Sequence, residues 1–476
     1  MSQQVFFQPP GAWVGDVVPW IEGGEFQLYY LHEQRVTPKP GTPWHLVTTT
    51  DFVHFTDQGE AFASGGPAAP DFNIYTGSVV EAADGSHHLF YTGQNSDHVG
   101  PDGQPLQLVM KAISTDGRRS WTRDSEMSLG ATAGYETGDW RDPFVFRDEE
   151  AGIWRMLITA RHDSGPSRRR GAIAQCTSTD LETWTPAEPF WDPRRYIAHE
   201  CPEVFQMGDW WYLVYSEFSE TFTTRYRMSR SLSGPWIVPE HDSLDGRAYY
   251  AAKSAQREGR RFFFGWIASK EGDRDDGDWQ WAGTMSVLEA VQRTNGTLDF
   301  RLPHELLASF ADEWIAPPLT LESRDGYEAS ILEEPVPDVF HLRVELDIDD
   351  ATTECGVLLR SSDDGDESYI LRLEPKRSRL VFDRWPRLRT GDAQWQVSGD
   401  VPFAVELERP CDLPPGRHVL DIVVEDTICV AVLDDSVCLS TRLYDRPTGR
   451  IGVFVGEGSA TFTDIRLGVR AESAHN

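Results

Sequence analysis

The chain has 476 residues, 39% hydrophobic and 25% charged, the balance of an ordinary globular protein with room for about two or three domains, not of a disordered one. A formal charge of −32 and a pI near 4.7 exclude nucleic acid and anionic membrane surfaces as partners, because nothing would neutralise their phosphates. A neutral or cationic ligand suits this field better. No apolar run of about 18 residues is present, so no membrane span is expected. The N-terminal MSQQVFFQPPGAW lacks a basic stretch followed by a long apolar one, so no signal peptide is read and a cytoplasmic protein is expected. The cysteines at 176, 201, 355, 411, 429 and 438 form no CxxC pair and no zinc spacing. Reduced thiols, no metal and no cofactor are therefore expected.

Along the chain, an aromatic-rich strand recurs: FQLYY (26–30), HLFYTG (88–93), IWRMLITA (153–160), WYLVYSE (211–217) and FFFGWIAS (262–269). Each unit ends in a related segment: TTDFVHF (49–55), STDGRRSW (114–121), STDLETW (178–184), SLSGPW (231–236) and NGTLDF (295–300). A small sheet cannot bury both its faces alone, so repeats at roughly this period predict blades stacked about an axis. The expectation is an all-β chain, with a five-bladed β-propeller over 1–302 in preference to an irregular sandwich. Residues 303–320 (PHELLASFADEWIAPPLT) read as a short helical or irregular linker. From 321 to 476, alternating runs such as FHLRVELDI (340–348) and HVLDIVVED (418–426) predict a β-sandwich domain.

A propeller gathers residues from its innermost strands at one end of the axis. Three carboxylates precede a strand in three different units: Asp16 in GAWVGDVVPW, Asp142 in WRDPFVF and Glu200 in HECPEVF. Singly, each reads as a turn residue or ion-pair partner. Aromatic candidates for a ligand-facing wall are Trp13, Trp44, Tyr75 and Trp281, each with core packing as the plainer reading. Ser78 is a candidate for a sugar hydroxyl, Cys201 reads as a packed thiol, and His199 as a strand-end histidine. The acidic stretch 271–281 does not fit a calcium loop and reads as a solvated rim.

Taken together and in order, these motifs resemble glycoside hydrolase family 32, the invertase, inulinase and levanase group. Trp13-Val-Gly-Asp16 resembles its W-x-x-D motif, Tyr75-Thr-Gly-Ser78 its aromatic-Ser-Gly-Ser stretch, Arg141-Asp142-Pro143 its RDP and Glu200-Cys201 its EC. The resemblance implies a five-bladed propeller with a C-terminal sandwich. It also implies Asp16 as nucleophile, Asp142 as transition-state stabiliser and Glu200 as general acid/base, with Arg141 orienting Asp142. Retaining hydrolysis of terminal β-fructofuranosyl linkages follows, one carboxylate attacking and the other protonating the leaving oxygen. The sequence departs from the family where Gly15 replaces the usual Asn and Val17-Val18-Pro19 the usual Pro-Asn-Gly. It departs again at Leu31-His32-Glu33-Gln34, where His32 and Glu33 are candidates for reading a different sugar or linkage. The alternatives are a fructotransferase making or using difructose dianhydrides, an inverting furanosidase resembling family 43, and a sugar-binding propeller without catalysis.

Overall fold

The computed structural model describes residues 2, 3, 5–387 and 405–470. Up to residue 301 it is a succession of antiparallel meanders in chain order, in a propeller-like arrangement. Trp13–Glu22, Glu25–Glu33, Trp44–Thr49 and His54–Phe62 lie side by side, with Ser2–Gln3 at the outer edge. Separate sheets follow over Asn73–Leu129, Tyr135–Trp191 and Glu200–Ser229. The strands Tyr249–Arg257, Arg260–Lys270, Trp279–Gln292 and Leu298–Arg301 come last. They share one sheet with the first meander through the pair Val14↔Gly283. Beginning and end of this half are thus zipped together.

The recurring Ser/Thr-Thr-Asp segments fold alike, which is the physical basis of the repeat. Asp51 Oδ1 accepts from the N–H groups of Val53 and His54. Asp116 does the same for Arg119 and Ser120, and Asp180 for Glu182 and Thr183. The leading hydroxyls of Thr49, Ser114 and Ser178 accept from Phe52, Arg118 and Leu181, which hold φ of 64°, 66° and 64°. A side chain that satisfies the backbone of a tight turn lets a bulky residue occupy the left-handed region.

The second half is a sandwich-like sheet of eleven strands organised around the long strand Arg450–Arg470. That strand pairs with Phe310–Ala316, Leu319–Pro335, Val339–Ile348 and Glu354–Ser361. The stretch read as a linker is therefore different in kind: only His304–Leu307 is helical, and Phe310–Ala316 is a strand of the second sheet. Residues 388–404 and 471–476 of the expected second domain lie outside the described residues.

The two halves are joined by buried polar contacts as well as a shared apolar core. Asp245 accepts from the backbone and hydroxyl of Ser440, and Arg442 donates to the Ile267 and Ala268 carbonyls. Glu425 accepts from the backbone of Val5 and Phe6. Within the acidic stretch 271–281, Asp275 is not solvated as expected. It is buried against the second half, where the Tyr369 hydroxyl and the Tyr444 N–H donate to it. Among the described residues no helix is long and apolar enough to cross a membrane, and all six cysteines are free and buried.

Candidate active site

The first strand of every meander breaks register near its start. The shifts fall between Val14 and Val17, Tyr75 and Gly77, Arg141 and Phe144, Glu200 and Glu203, and Tyr250 and Lys253. A bulge bends the strand and re-aims the side chains beside it. Asp142, Cys201 and Ala251 hold positive φ of 57°, 50° and 54° at these bulges. At Gly77 a Cβ would lie 1.8 Å from the Phe90 carbonyl oxygen, so the second bulge requires glycine. The outcome is one cavity of about 570 Å³ lined by Asp16, Asp142 and Glu200, with Tyr75, Arg141, Tyr250 and Trp281 around them.

Each carboxylate is held by specific donors. Asp16 accepts from the Thr76 hydroxyl, from Trp266 Nε1 at 2.9 Å and from the Cys201 thiol at 3.6 Å. Asp142 Oδ2 accepts from Thr159 Oγ1 at 2.9 Å and the Cys201 N–H at 3.0 Å. Glu200 accepts from Arg141 Nη2 at 3.0 Å through one oxygen and from the Tyr250 hydroxyl at 2.6 Å through the other. Arg141 also donates to Asp139 at 2.5 Å and passes 3.7 Å from Asp142. A single guanidinium thus binds three carboxylates together.

Burial pushes the Asp16 carboxyl above its ordinary range. The bonds from Thr76, Trp266 and Cys201 act against that rise, and the Asp142 charge adds to it. Burial likewise raises Glu200, opposed by Arg141 and Tyr250 and reinforced by Asp142 and Asp16. Burial works against the Arg141 charge, but Glu200, Asp139 and Asp142 hold it above its ordinary value. A raised carboxyl beside an anchored carboxylate can supply a proton on one side of a bond while the other carboxylate acts on its opposite side.

The sequence model of the glycosyl hydrolases family 32 N-terminal domain matches residues 6–300, more than half of the chain. The chain belongs to glycoside hydrolase family 32. It is a glycosidase. A sucrose-6-phosphate hydrolase of Escherichia coli is 28% identical, covering 95% of this chain and 91% of that protein. A levanbiose-producing levanase of Bacillus subtilis (strain 168) is 21% identical, covering 97% and 89%. The exo-inulinase structure from Aspergillus awamori superposes with a TM-score of 0.77 at 17% identity, covering 98% of each chain. That of fructan 1-exohydrolase IIa from Cichorium intybus gives 0.76 at 15%, covering 99% and 98%. At such identities the structural likeness is one of fold.

Within this family 32 site, the expected residues fall into two groups. Asp16, Tyr75, Arg141, Asp142, Glu200 and Trp281 line the cavity. Ser78 lies behind it, donating to the Pro143 carbonyl and accepting from the Val145 N–H, so it ties the second sheet to the third. Trp13 packs under the Arg35 guanidinium at 4.1 Å. His32 is buried and stacks on His45 at 3.8 Å, and Glu33 is buried in an ion pair with Lys39. Of that pair it is Lys39 that reaches the cavity. Trp44 is corrected: it is fully buried among Tyr29, Phe62 and Leu89 and walls no subsite. Its indole faces the packing layer between the first and second sheets, where an aromatic fills more volume than any other side chain.

Tyr250, Phe218, Phe222, Lys39 and Asp139 line the site without having been singled out. Tyr250 had a usable signal, since it stands at the register break of the fifth first-strand as Asp142 and Glu200 stand at theirs. Phe222 stacks on Tyr250 at 4.1 Å. The loop carrying Phe218 and Phe222 is pinned by Glu217, which accepts from the backbone of Ser219, Glu220 and Thr221. His199, expected as a strand-end histidine, stands just before the strand Glu200–Met207, boxed by Trp191, Tyr196 and Tyr215 and pushed down to about 3 by burial and the nearby Arg227 and Arg195.

Proposed function

We propose that the protein is a retaining β-fructofuranosidase built on a five-bladed propeller, the nine-stranded sheet counting as the first and last blades joined at Val14↔Gly283. The observation that carries the reading is the convergence of Asp16, Asp142 and Glu200 from three separate sheets on one cavity. Asp16 attacks the anomeric carbon while Glu200 gives its proton to the departing glycosidic oxygen, leaving a fructosyl ester on Asp16. Glu200, now ionised, takes a proton from water, whose oxygen attacks the same carbon and releases Asp16. Asp142 accepts hydrogen bonds from sugar hydroxyls that strengthen as positive charge develops on the ring. The substrate class draws support from the relatives, which include a sucrose-6-phosphate hydrolase and a levanbiose-producing levanase.

The test is chromatographic analysis of products from sucrose, sucrose-6-phosphate, inulin and levan, with wild type, Asp16→Asn and Glu200→Gln. Release of fructose, or of a short fructo-oligosaccharide, is expected, with each variant reduced by about 10³-fold or more. Azide is expected to restore turnover to Glu200→Gln as a fructosyl azide of unchanged anomeric configuration. Full activity in either variant, or an inert wild type on all four sugars, overturns the reading.

A further inference from the structure

The wall of the cavity beside Asp16 is built in an unusual way. Gly15 precedes Asp16 on its strand and is buried, and its φ lies outside the left-handed region, so its backbone would admit any residue. What forbids a side chain there is the space. A Cβ on Gly15 would lie 2.7 Å from Trp281 Cη2 and 3.0 Å from Cζ2, with Leu31 Cβ at 2.9 Å. The six-membered ring of Trp281 therefore rests where a side chain at 15 would stand.

Trp281 is fixed there from several directions. Arg35 donates to its carbonyl at 2.7 Å, to the Ala282 carbonyl at 3.3 Å and to the Gln280 side chain at 2.6 Å. Its ring meets Trp266 edge to face at 6.2 Å, and Trp266 in turn holds Asp16. Yet 39% of Trp281 stays exposed, and it lines the cavity next to Asp16. An indole that stays more than a third exposed, with the Lys39 ammonium 5.9 Å from its ring centroid and Gly15 beside the anchored Asp16, offers a sugar a largely apolar surface.

We infer that Gly15 and Trp281 act as one specificity determinant: the missing side chain at 15 seats the indole, and the indole selects a sugar presenting its carbon–hydrogen face to the Asp16 side of the pocket. That the sugar is a fructosyl unit rests on the function proposed above. Substituents on that face of the sugar are disfavoured, and polar recognition falls to the charged groups that share the cavity, Asp142, Arg141 and Glu200 among them.

The test is a double-mutant cycle of Gly15→Ala and Trp281→Ala, read by KM, kcat and thermal unfolding. Gly15→Ala alone is expected to lower kcat/KM at least tenfold, chiefly through KM, because its methyl displaces the indole into the pocket. In the Trp281→Ala background the same change is expected to cost no more than threefold, the residue of its contact with Leu31. The unfolding temperature follows the same pattern. Equal losses from Gly15→Ala in both backgrounds overturn the pairing. Coupling in unfolding temperature without coupling in KM overturns the selective role. A wild type inert on fructosides overturns the fructoside reading instead, since the unfolding cycle needs no substrate.

Discussion

Removing one hydroxyl at Tyr250 isolates how Glu200 is kept able to act as an acid. In Tyr250→Phe the ring keeps its stack on Phe222 at 4.1 Å, and only the 2.6 Å bond to Glu200 Oε2 is lost. That bond is donated to the carboxylate, so it favours the ionised form and lowers the Glu200 pKa. Its loss raises the pKa. A hydrogen bond to a charged acceptor contributes about 1.5–3 kcal/mol, and Tyr250→Phe withdraws that support from the ionised form of Glu200. In the proposed first step Glu200 acts protonated, so a higher pKa extends activity upward in pH. The basic limb of kcat/KM against pH, which reports the free enzyme, is expected to move to higher pH. The acidic limb, set by Asp16, is expected to stay. Initial rates on the best fructoside between pH 4 and 9 give both limbs. A basic limb that stays in place or moves to lower pH refutes the reasoning.

Two other predictions follow from the surrounding contacts. Arg141→Gln leaves Asp139, Asp142 and Glu200 without their shared cation; kcat/KM is expected to fall at least about 100-fold, with the basic limb again moving to higher pH because a positive charge that favoured ionised Glu200 is gone. Trp44→Phe opens space in a fully buried layer and touches no substrate; it is expected to cost about 1–3 kcal/mol in denaturant unfolding while KM stays within twofold, and a large KM change would restore Trp44 to the site.

The repeat was readable because its signal is chemical: Thr49-Thr-Asp51, Ser114-Thr-Asp116 and Ser178-Thr-Asp180 each build the same side-chain-to-backbone turn. The three carboxylates were readable because each sits at a bulge in a short motif. The rest of the site was not, because Lys39, Phe218 and Phe222 lie on loops with no strand pattern, pinned by neighbours such as Glu33 and Glu217 in ways no short motif announces. Trp44 and Trp281 carry the same residue type, and nothing local says which indole faces the core and which the cavity. The stretch 303–320 looked like a linker because Phe310–Ala316 carries two acids and is mostly exposed, and its partner strand lies about 150 residues further on. Asp275 was misjudged for the same reason, since its partners Tyr369 and Tyr444 belong to the second half.

The seam at Val14↔Gly283 has a bearing on how the enzyme comes into being. The donor Trp266 and neighbour Trp281 are synthesised about 250 residues after Asp16, and the Tyr250 that holds Glu200 barely sooner. The strand opening at Trp13 must therefore wait, unpaired along one edge, until the chain returns to it. Later still, Glu425 grips the backbone of Val5 and Phe6 and holds the returned end in place. A nascent or truncated chain owns all three carboxylates without the surroundings that give each its role. Catalytic competence thus arrives with closure of the ring, and the appearance of activity during refolding is a direct readout of that final event.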